Sequence, residues 1–233
     1  MATYYDIFGQ KVQYLASDPS PVAVGQVWYN STSNTAKVQG VTTSSSWSTG
    51  GNMNDAQGGN GGGDSQTSAV ALQGTLGAVT TVEEYDGTSW TNGGALPTAT
   101  SDAGGAGTSA AMIFGGGNAP PGNVNTVFAY DGSSWTASPT TLTYSVRMMA
   151  SSGSSTAAIF SGGEAPSDVA TVNRYDGTVF ATAPSLATAR GRLSGAGTSA
   201  AAIVYGGDPP GNAATEEFTG ETTSINIVDI TTS

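Results

Sequence analysis

A hexamer that returns at a fixed interval constrains this chain more than any other feature. Tyr85-Asp86-Gly87-Thr88-Ser89-Trp90 recurs as Tyr130-Asp131-Gly132-Ser133-Ser134-Trp135, and in altered form as Tyr175-Asp176-Gly177-Thr178-Val179-Phe180, offset by 45 residues each time. After each hexamer comes an alanine-rich apolar run that ends in glycines, at 110–117, 156–163 and 200–207. A repeat of this length is one supersecondary unit, and no such unit buries its apolar face alone. The chain must therefore stack like units against one another.

One period, residues 81–125, shows what the unit is. Val82 to Tyr85 and Thr88 to Trp90 flank Asp86-Gly87, the dipeptide of a two-residue type I′ hairpin turn. In that register Tyr85 opposes Thr88, Glu83 opposes Trp90, and the rings of Tyr85 and Trp90 are diagonal neighbours on one face. A short polar stretch and the small residues 104–108 follow. Then comes an apolar strand at 110–114, and a loop at 118–123 whose prolines and glycine forbid strand interior. Three to four strands of about five residues fill the period, which is the content of one propeller blade. Helix is disfavoured because no window carries apolar residues at helical spacing without glycine or β-branched interruption.

Counting units gives four periods and a terminal strand pair. Trp47 precedes Trp90 by 43 residues, and 68–72 is a weak counterpart of the alanine-rich strand. Downstream, Thr215-Glu216-Glu217-Phe218 repeats the approach to the hexamer before the sequence changes to Ile225-Asn226-Ile227-Val228-Asp229-Ile230. The expectation is an all-β fold: a small β-propeller of four to five blades over 47–233, with the alanine-rich strands innermost. Residues 1–46 form an N-terminal docking segment. The hairpin of Val27-Trp28-Tyr29 with Lys37-Val38-Gln39 contributes to closing the ring, a device that protects exposed sheet edges.

Composition removes whole classes of function. The 233 residues include no histidine and no cysteine, so Ser-His-Asp and Cys-His catalysis, disulfides, and histidine- or thiolate-ligated metals are all unavailable. No cofactor is expected. Six basic residues against seventeen acidic ones, a net charge of −11, offer no stripe to neutralise a phosphate backbone, so nucleic acid is not an expected partner. The longest apolar run, 200–205, falls well short of the roughly 20 residues a membrane span needs. The start, Met1-Ala2-Thr3-Tyr4-Tyr5-Asp6, lacks the basic and apolar regions of a signal peptide.

The repeats resemble those of Kelch-type proteins in the Tyr-x4-Trp aromatic pair, in an arginine twelve residues beyond the Trp position (Arg147, Arg192), and in the apolar strand ending in a glycine doublet. The resemblance covers about residues 47–218. It departs where Asp102 and Gly59 occupy the arginine position, and in a ring smaller than the six or seven blades usual for that family. This alanine- and glycine-rich variant is similar to the Kelch-like proteins of marine bacteriophages. Gly25-Gln26-Val27-Trp28-Tyr29-Asn30-Ser31-Thr32 likewise resembles a segment frequent in phage tail-fibre and other virion proteins. The resemblance implies a virion protein of the tail or fibre, assembled in the host cytoplasm, homo-oligomeric, and in contact with other virion proteins and with host surface glycan.

Each candidate for chemistry has a structural reading beside it. The hexamer is similar to the Asp-box of sialidases, but that motif has a residue between its aspartate and glycine, and here there is none. The stretch Gly58-Gly59-Asn60-Gly61-Gly62-Gly63-Asp64 lacks the Lys-Ser/Thr of a phosphate loop, and reads as an inter-strand loop. The hexamer aspartates are turn formers, with a weak calcium site as the alternative. Arg147 and Arg192, at matching places in their units, read as ties between neighbouring units by pairing with glutamates, with recognition of an acidic sugar as the alternative. The repeated aromatics read as core. Tyr4, Tyr5, Ile7, Phe8 and Tyr14 crowd apolar surface into a short segment outside the repeats, the mark of a docking element. The loops near 117–125, 163–170 and 207–214, with Asn118, Asn123, Asp168, Asp208 and Asn212, are expected to share one contact face. The function expected is therefore non-enzymatic: virion assembly or host-surface adhesion through loops. A free glycan-binding propeller and a carboxylate-type glycan hydrolase stand as alternatives.

Overall fold

The computed structural model describes residues 12–40, 45–55, 61–72, 77–208 and 213–220, and every regular element among them is a strand. The chain divides into two compact units, one ending at Thr49 and the other beginning at Gly50.

In the first unit β1 (Gln13–Leu15), β2 (Val27–Asn30) and β3 (Thr35–Val38) form a separate three-stranded sheet. The expected hairpin is present, with Val27 opposite Val38 and Trp28 opposite Lys37, and β1 runs parallel to β2. Strand alternation puts Trp28 and Asn30 on one face, where both are buried. The Asp18 carboxylate fastens that face. It accepts bonds from Lys37 Nζ at 2.7 Å, Asn30 Nδ2 at 2.8 Å and Trp28 Nε1 at 2.9 Å. These donors, the Lys37 ammonium foremost, hold the Asp18 carboxyl down at about 2.

The second unit is four antiparallel sheets in succession, each a meander in chain order. The first holds β4 (Gly61–Ser65), β5 (Ser68–Leu72), β6 (Val82–Tyr85) and β7 (Trp90–Asn92). The second begins with β8 (Gly104–Thr108) and β9 (Ala111–Gly115), carries a short side hairpin of β10 (Asn118–Ala119) and β11 (Gly122–Asn123), and ends with β12 (Val127–Tyr130) and β13 (Trp135–Ala137). The third is β14 (Ala150–Ser154), β15 (Ala157–Ser161), β16 (Val172–Tyr175) and β17 (Phe180–Ala183). The fourth is β18 (Ser194–Gly197), β19 (Ala201–Tyr205) and β20 (Thr215–Thr219), with no fourth strand among the described residues. The terminal strand expected at Ile225 to Ile230 lies outside them.

Successive sheets meet through their first strands. β4 lies beside β8, β8 beside β14, and β14 beside β18. The Ser151 hydroxyl on β14 donates to the Gly105 carbonyl on β8 at 2.7 Å. So close an approach explains the composition of these strands. A Cβ on Gly104 would stand 3.1 Å from both Met149 and Phe160, and one on Gly195 would stand 3.0 Å from the Ala150 methyl. The alanine-rich strands expected innermost are instead the second strands, β9, β15 and β19. The glycine-rich stretch read as a loop is also corrected, since Gly61 to Gly63 pair with Ala71 to Ala69 in a ladder. Glycine there spares room for a neighbouring strand, a reason that hydrophobic patterning does not register.

The hexamer turn departs from expectation as well. Tyr85 pairs directly with Trp90, Tyr130 with Trp135 and Tyr175 with Phe180, each across a four-residue loop. A type I′ turn needs two residues with positive φ, and only the glycine supplies one, at 94° for Gly87, 92° for Gly132 and 97° for Gly177. The aspartate closes the loop instead. Asp131 Oδ1 accepts the amides of Ser133 at 2.9 Å and Ser134 at 2.8 Å, and Asp86 and Asp176 do likewise. These bonds lower all three carboxyls, with Asp131 reaching about 2 because the Ser133 and Ser134 hydroxyls add theirs. Direct pairing stacks the rings, with centroids 4.8 Å apart for Tyr130 and Trp135 and 4.6 Å for Tyr175 and Phe180. Such a pair contributes about 1 kcal/mol beyond its buried area.

The core lies between sheets. Val70, Leu72 and Val82 of the first sheet pack with Met112, Phe114, Phe128 and Trp135 of the second. Ile113 and Val127 of the second meet Ala158 and Phe160 of the third. Smaller groups around Ala150, Leu193 and Val204, and around Ile159, Val172 and Ala202, join the third to the fourth. Tyr130 also donates to Glu84 across the first junction, and burial with that carboxylate beside it raises its phenol.

One position on each third strand grips the connection that leads into its sheet. It is Glu83, Phe128, Asn173 and Glu216 in the four sheets, opposite Ala71, Phe114, Phe160 and Val204. Glu83 accepts the amides of Asn54 at 2.7 Å and Asp55 at 3.0 Å. Asn173 accepts the Thr143 amide at 2.8 Å and its hydroxyl at 2.7 Å. Glu216 accepts the Ala187 amide at 2.6 Å and the buried Arg190 guanidinium at 2.8 Å. Phe128 instead joins the apolar cluster that also contains Leu96.

Candidate functional site

In the second, third and fourth sheets the loop between second and third strands is tied to the connection that leads into its own sheet, and these connections are tied to one another along one edge. Ser101 and Asn118 exchange backbone bonds of 2.7 and 2.9 Å, Arg147 and Glu164 exchange bonds of 2.8 and 3.1 Å, and the Asp208 amide donates to the Gly191 carbonyl at 2.8 Å. Just beyond, Met148 donates to the Asp102 carbonyl and Arg192 to the Met148 carbonyl, each at 2.8 Å. Asp102, Met148 and Arg192 all have φ between 53° and 55°. This sequence of bonds corrects the repeat alignment. Arg192 is the counterpart of Met148 and Asp102, whereas Arg147 is the counterpart of Ser101 and Gly191.

Although out of step in the backbone, the two arginines converge on one carboxylate. Arg147 Nη2 lies 2.7 Å from Glu164 Oε1, and Arg192 Nη2 lies 3.7 Å from Glu164 Oε2. Arg147 Nη1 also lies 4.0 Å from Asp102 Oδ2, and Arg192 pairs with Asp208. The result is a line of alternating charge, Asp102, Arg147, Glu164, Arg192, Asp208, running from the second sheet to the fourth. The hydrogen bond and charge of Asp208, with Glu164 and Asp168 beyond, raise the Arg192 guanidinium further. The Arg192 side chain is about half exposed, at 54%, so solvent screening leaves a single pair here little weight in stability. The line's main effect is to fix the position of the loops.

Of the loop residues singled out in the sequence, Asn118, Asn123, Asp168 and Asp208 are brought to this edge. Asn123 Nδ2 donates to the Glu164 carbonyl at 2.8 Å, which pins the β10–β11 hairpin against the next loop. Asp168 bridges to Glu164, and its Oδ1 lies 2.7 Å from where a Cβ on Gly191 would be. Asn212 lies outside the described residues. Between the hairpin and the 164–166 loop is an open cavity of about 440 Å3, lined by Asn118, Gly122, Asn123, Ser145, Arg147, Glu164, Ala165 and Pro166. The expectation missed Ser145, Glu164 and Asp102 as members of this edge. Glu164 was legible, because it directly follows a glycine doublet whose next-repeat counterpart is followed by Asp208. Among the described residues no group of three or more acidic side chains is placed to hold a metal ion.

A second surface lies in the first unit. Tyr14 is 73% exposed and stacks on Tyr29 with ring centroids 4.9 Å apart. Val27 and Val38 alternate onto the same face as Tyr29, and both are exposed. Tyr4, Tyr5, Ile7 and Phe8 lie outside the described residues.

No family model matches the chain, and no curated protein matches it. Among solved structures, that of YjhT is similar at 16% identity and a TM-score of 0.48, over 59% of this chain and 47% of the other. The match thus spans about half the length of YjhT.

Proposed function

We propose that residues from Gly50 onward form a small, Kelch-like β-propeller of four blades, and that the protein is a non-enzymatic structural component of a bacteriophage virion, in the tail or fibre. One observation carries the propeller reading: four consecutive meanders laid side by side through their first strands. Radial repetition of four-stranded sheets has that connectivity. It also gathers the loops between second and third strands on one edge, where they are free to meet a partner. The arginines and carboxylates at that edge are engaged with one another, an arrangement suited to presenting a fixed contact surface. The Tyr14, Tyr29, Val27 and Val38 face of the first unit is the docking element toward a neighbouring virion protein, because apolar surface displayed on a three-stranded sheet favours burial against another protein. Quantitative mass spectrometry of gradient-purified phage tests the assignment. The protein at a fixed ratio to the tail proteins is the expected result, and its absence from the particles contradicts it.

A further inference from the structure

We infer that the cavity between the β10–β11 hairpin and the 164–166 loop is a binding site for a neutral hexose unit of a glycan; this rests on the reading of the loop edge as a contact surface. The cavity's about 440 Å3 falls in the range of small-molecule sites, roughly 300–1,000 Å3. Its polar groups are of both kinds and are incompletely used within the protein. Among the described residues the Asn118 side-chain amide and the Ser145 hydroxyl have no protein partner. Asn123 spends its Nδ2 on the Glu164 carbonyl, leaving Oδ1 free to accept. Arg147 has five donors and points only its two Nη groups at carboxylates.

A ligand satisfying such a set must donate and accept at several closely spaced points. Vicinal hydroxyls do both, and a planar amide or guanidinium can bridge two of them. Ala165, Pro166 and Gly122 supply the apolar patch for the ring's C–H face. Charge selects the neutral class. The Arg147 guanidinium is balanced by Glu164 at 2.7 Å, and the chain carries −11 overall, so an anionic sugar meets repulsion with no unpaired cation among the described residues that line the cavity. The hairpin that forms one wall occurs in the second sheet alone among the described loops.

The test is saturation-transfer NMR on the full chain with the methyl glycosides of glucose, galactose, mannose and N-acetylglucosamine, and with N-acetylneuraminate as the anionic comparison. At least one neutral glycoside is expected to bind with a dissociation constant on the order of 1 mM. Asn118→Ala, at a half-buried position of the side hairpin, and Ser145→Ala, at an exposed position of the connection, should each weaken it about tenfold, the equivalent of about 1.4 kcal/mol, with an unchanged thermal midpoint. Asp131→Asn, in a hexamer turn, should leave binding intact. The assignment is overturned if no neutral glycoside gives a signal, if binding ignores both cavity variants, or if only N-acetylneuraminate binds. Presence in purified particles without sugar binding would remove the cavity assignment and leave the virion reading standing. Sugar binding by a protein absent from particles would do the reverse.

Discussion

Where the second sheet meets the first, the gripping position of the third strand is Phe128, packed with Leu96, Phe114 and Trp135. Where the fourth meets the third, the same position is Glu216, which holds the fully buried Arg190. Arg190 is itself the counterpart of Val146: each donates its amide to the carbonyl of a loop valine and accepts from the second glycine of the doublet. One backbone plan thus carries an oily junction at one end and an ionic one at the other. The repeat requires small first strands, a glycine doublet and a grip on the incoming connection. Whether the grip is dispersive or hydrogen-bonded is left to each unit. A buried ion pair gains little net stability over apolar packing, yet it fixes geometry once formed. The ionic junction has the smaller apolar clusters.

Five substitutions probe this contrast. Phe128→Ala should cost the most, about 4 kcal/mol by urea unfolding, because it opens a cavity in the largest cluster. Arg190→Met should cost about 3 kcal/mol, since it takes the guanidinium away from the Glu216 carboxylate and from the Gly206 and Ala214 carbonyls to which it donates. If Arg190→Met is neutral while Glu216→Ala is costly, the pair is not the element that holds the junction. Asn173→Ala removes the acceptor of the Thr143 amide and hydroxyl, and should cost about 2 kcal/mol. The last is the smallest and concerns pH. Asp131 has its carboxyl lowered from 3.8 to about 2, so its contribution is complete above pH 3.8 and disappears as pH falls through about 2. Thermal midpoints of Asp131→Asn should therefore fall less steeply over that window than those of the parent protein. Parallel curves would remove the turn from the account of acid stability.

Much of this plan was legible in the residues. The 45-residue period, the all-β class, the hairpin at Val27 and Val38 and the apolar second strands all follow from spacing and turn chemistry. What escaped has physical causes. Gly61 to Gly63 carry no hydrophobic signal, so a strand selected for closeness reads as a loop. The hexamer turn was taken as two residues because Asp-Gly favours that form, whereas the aspartate side chain here captures amides two and three residues on. Counting from Trp135 and Phe180 set Arg147 and Arg192 level, but connections of unequal length displace them by one residue. The cavity-lining Ser145 sits in a connection with no period to mark it. Arg190 and Glu216 look like surface residues in any linear reading; only the folding of 184–193 over β20 makes them partners.

The central claim is that successive sheets meet through first strands of small residues, and the contact of Gly195 with Ala150 reports on it most directly. A Cβ on Gly195 would lie 3.0 Å from the Ala150 methyl carbon, so the Gly195 α-protons must lie against that methyl. A strong nuclear Overhauser cross-peak between them is predicted. Its absence, with both resonances assigned and the β14–β15 and β18–β19 ladders intact, would contradict the arrangement.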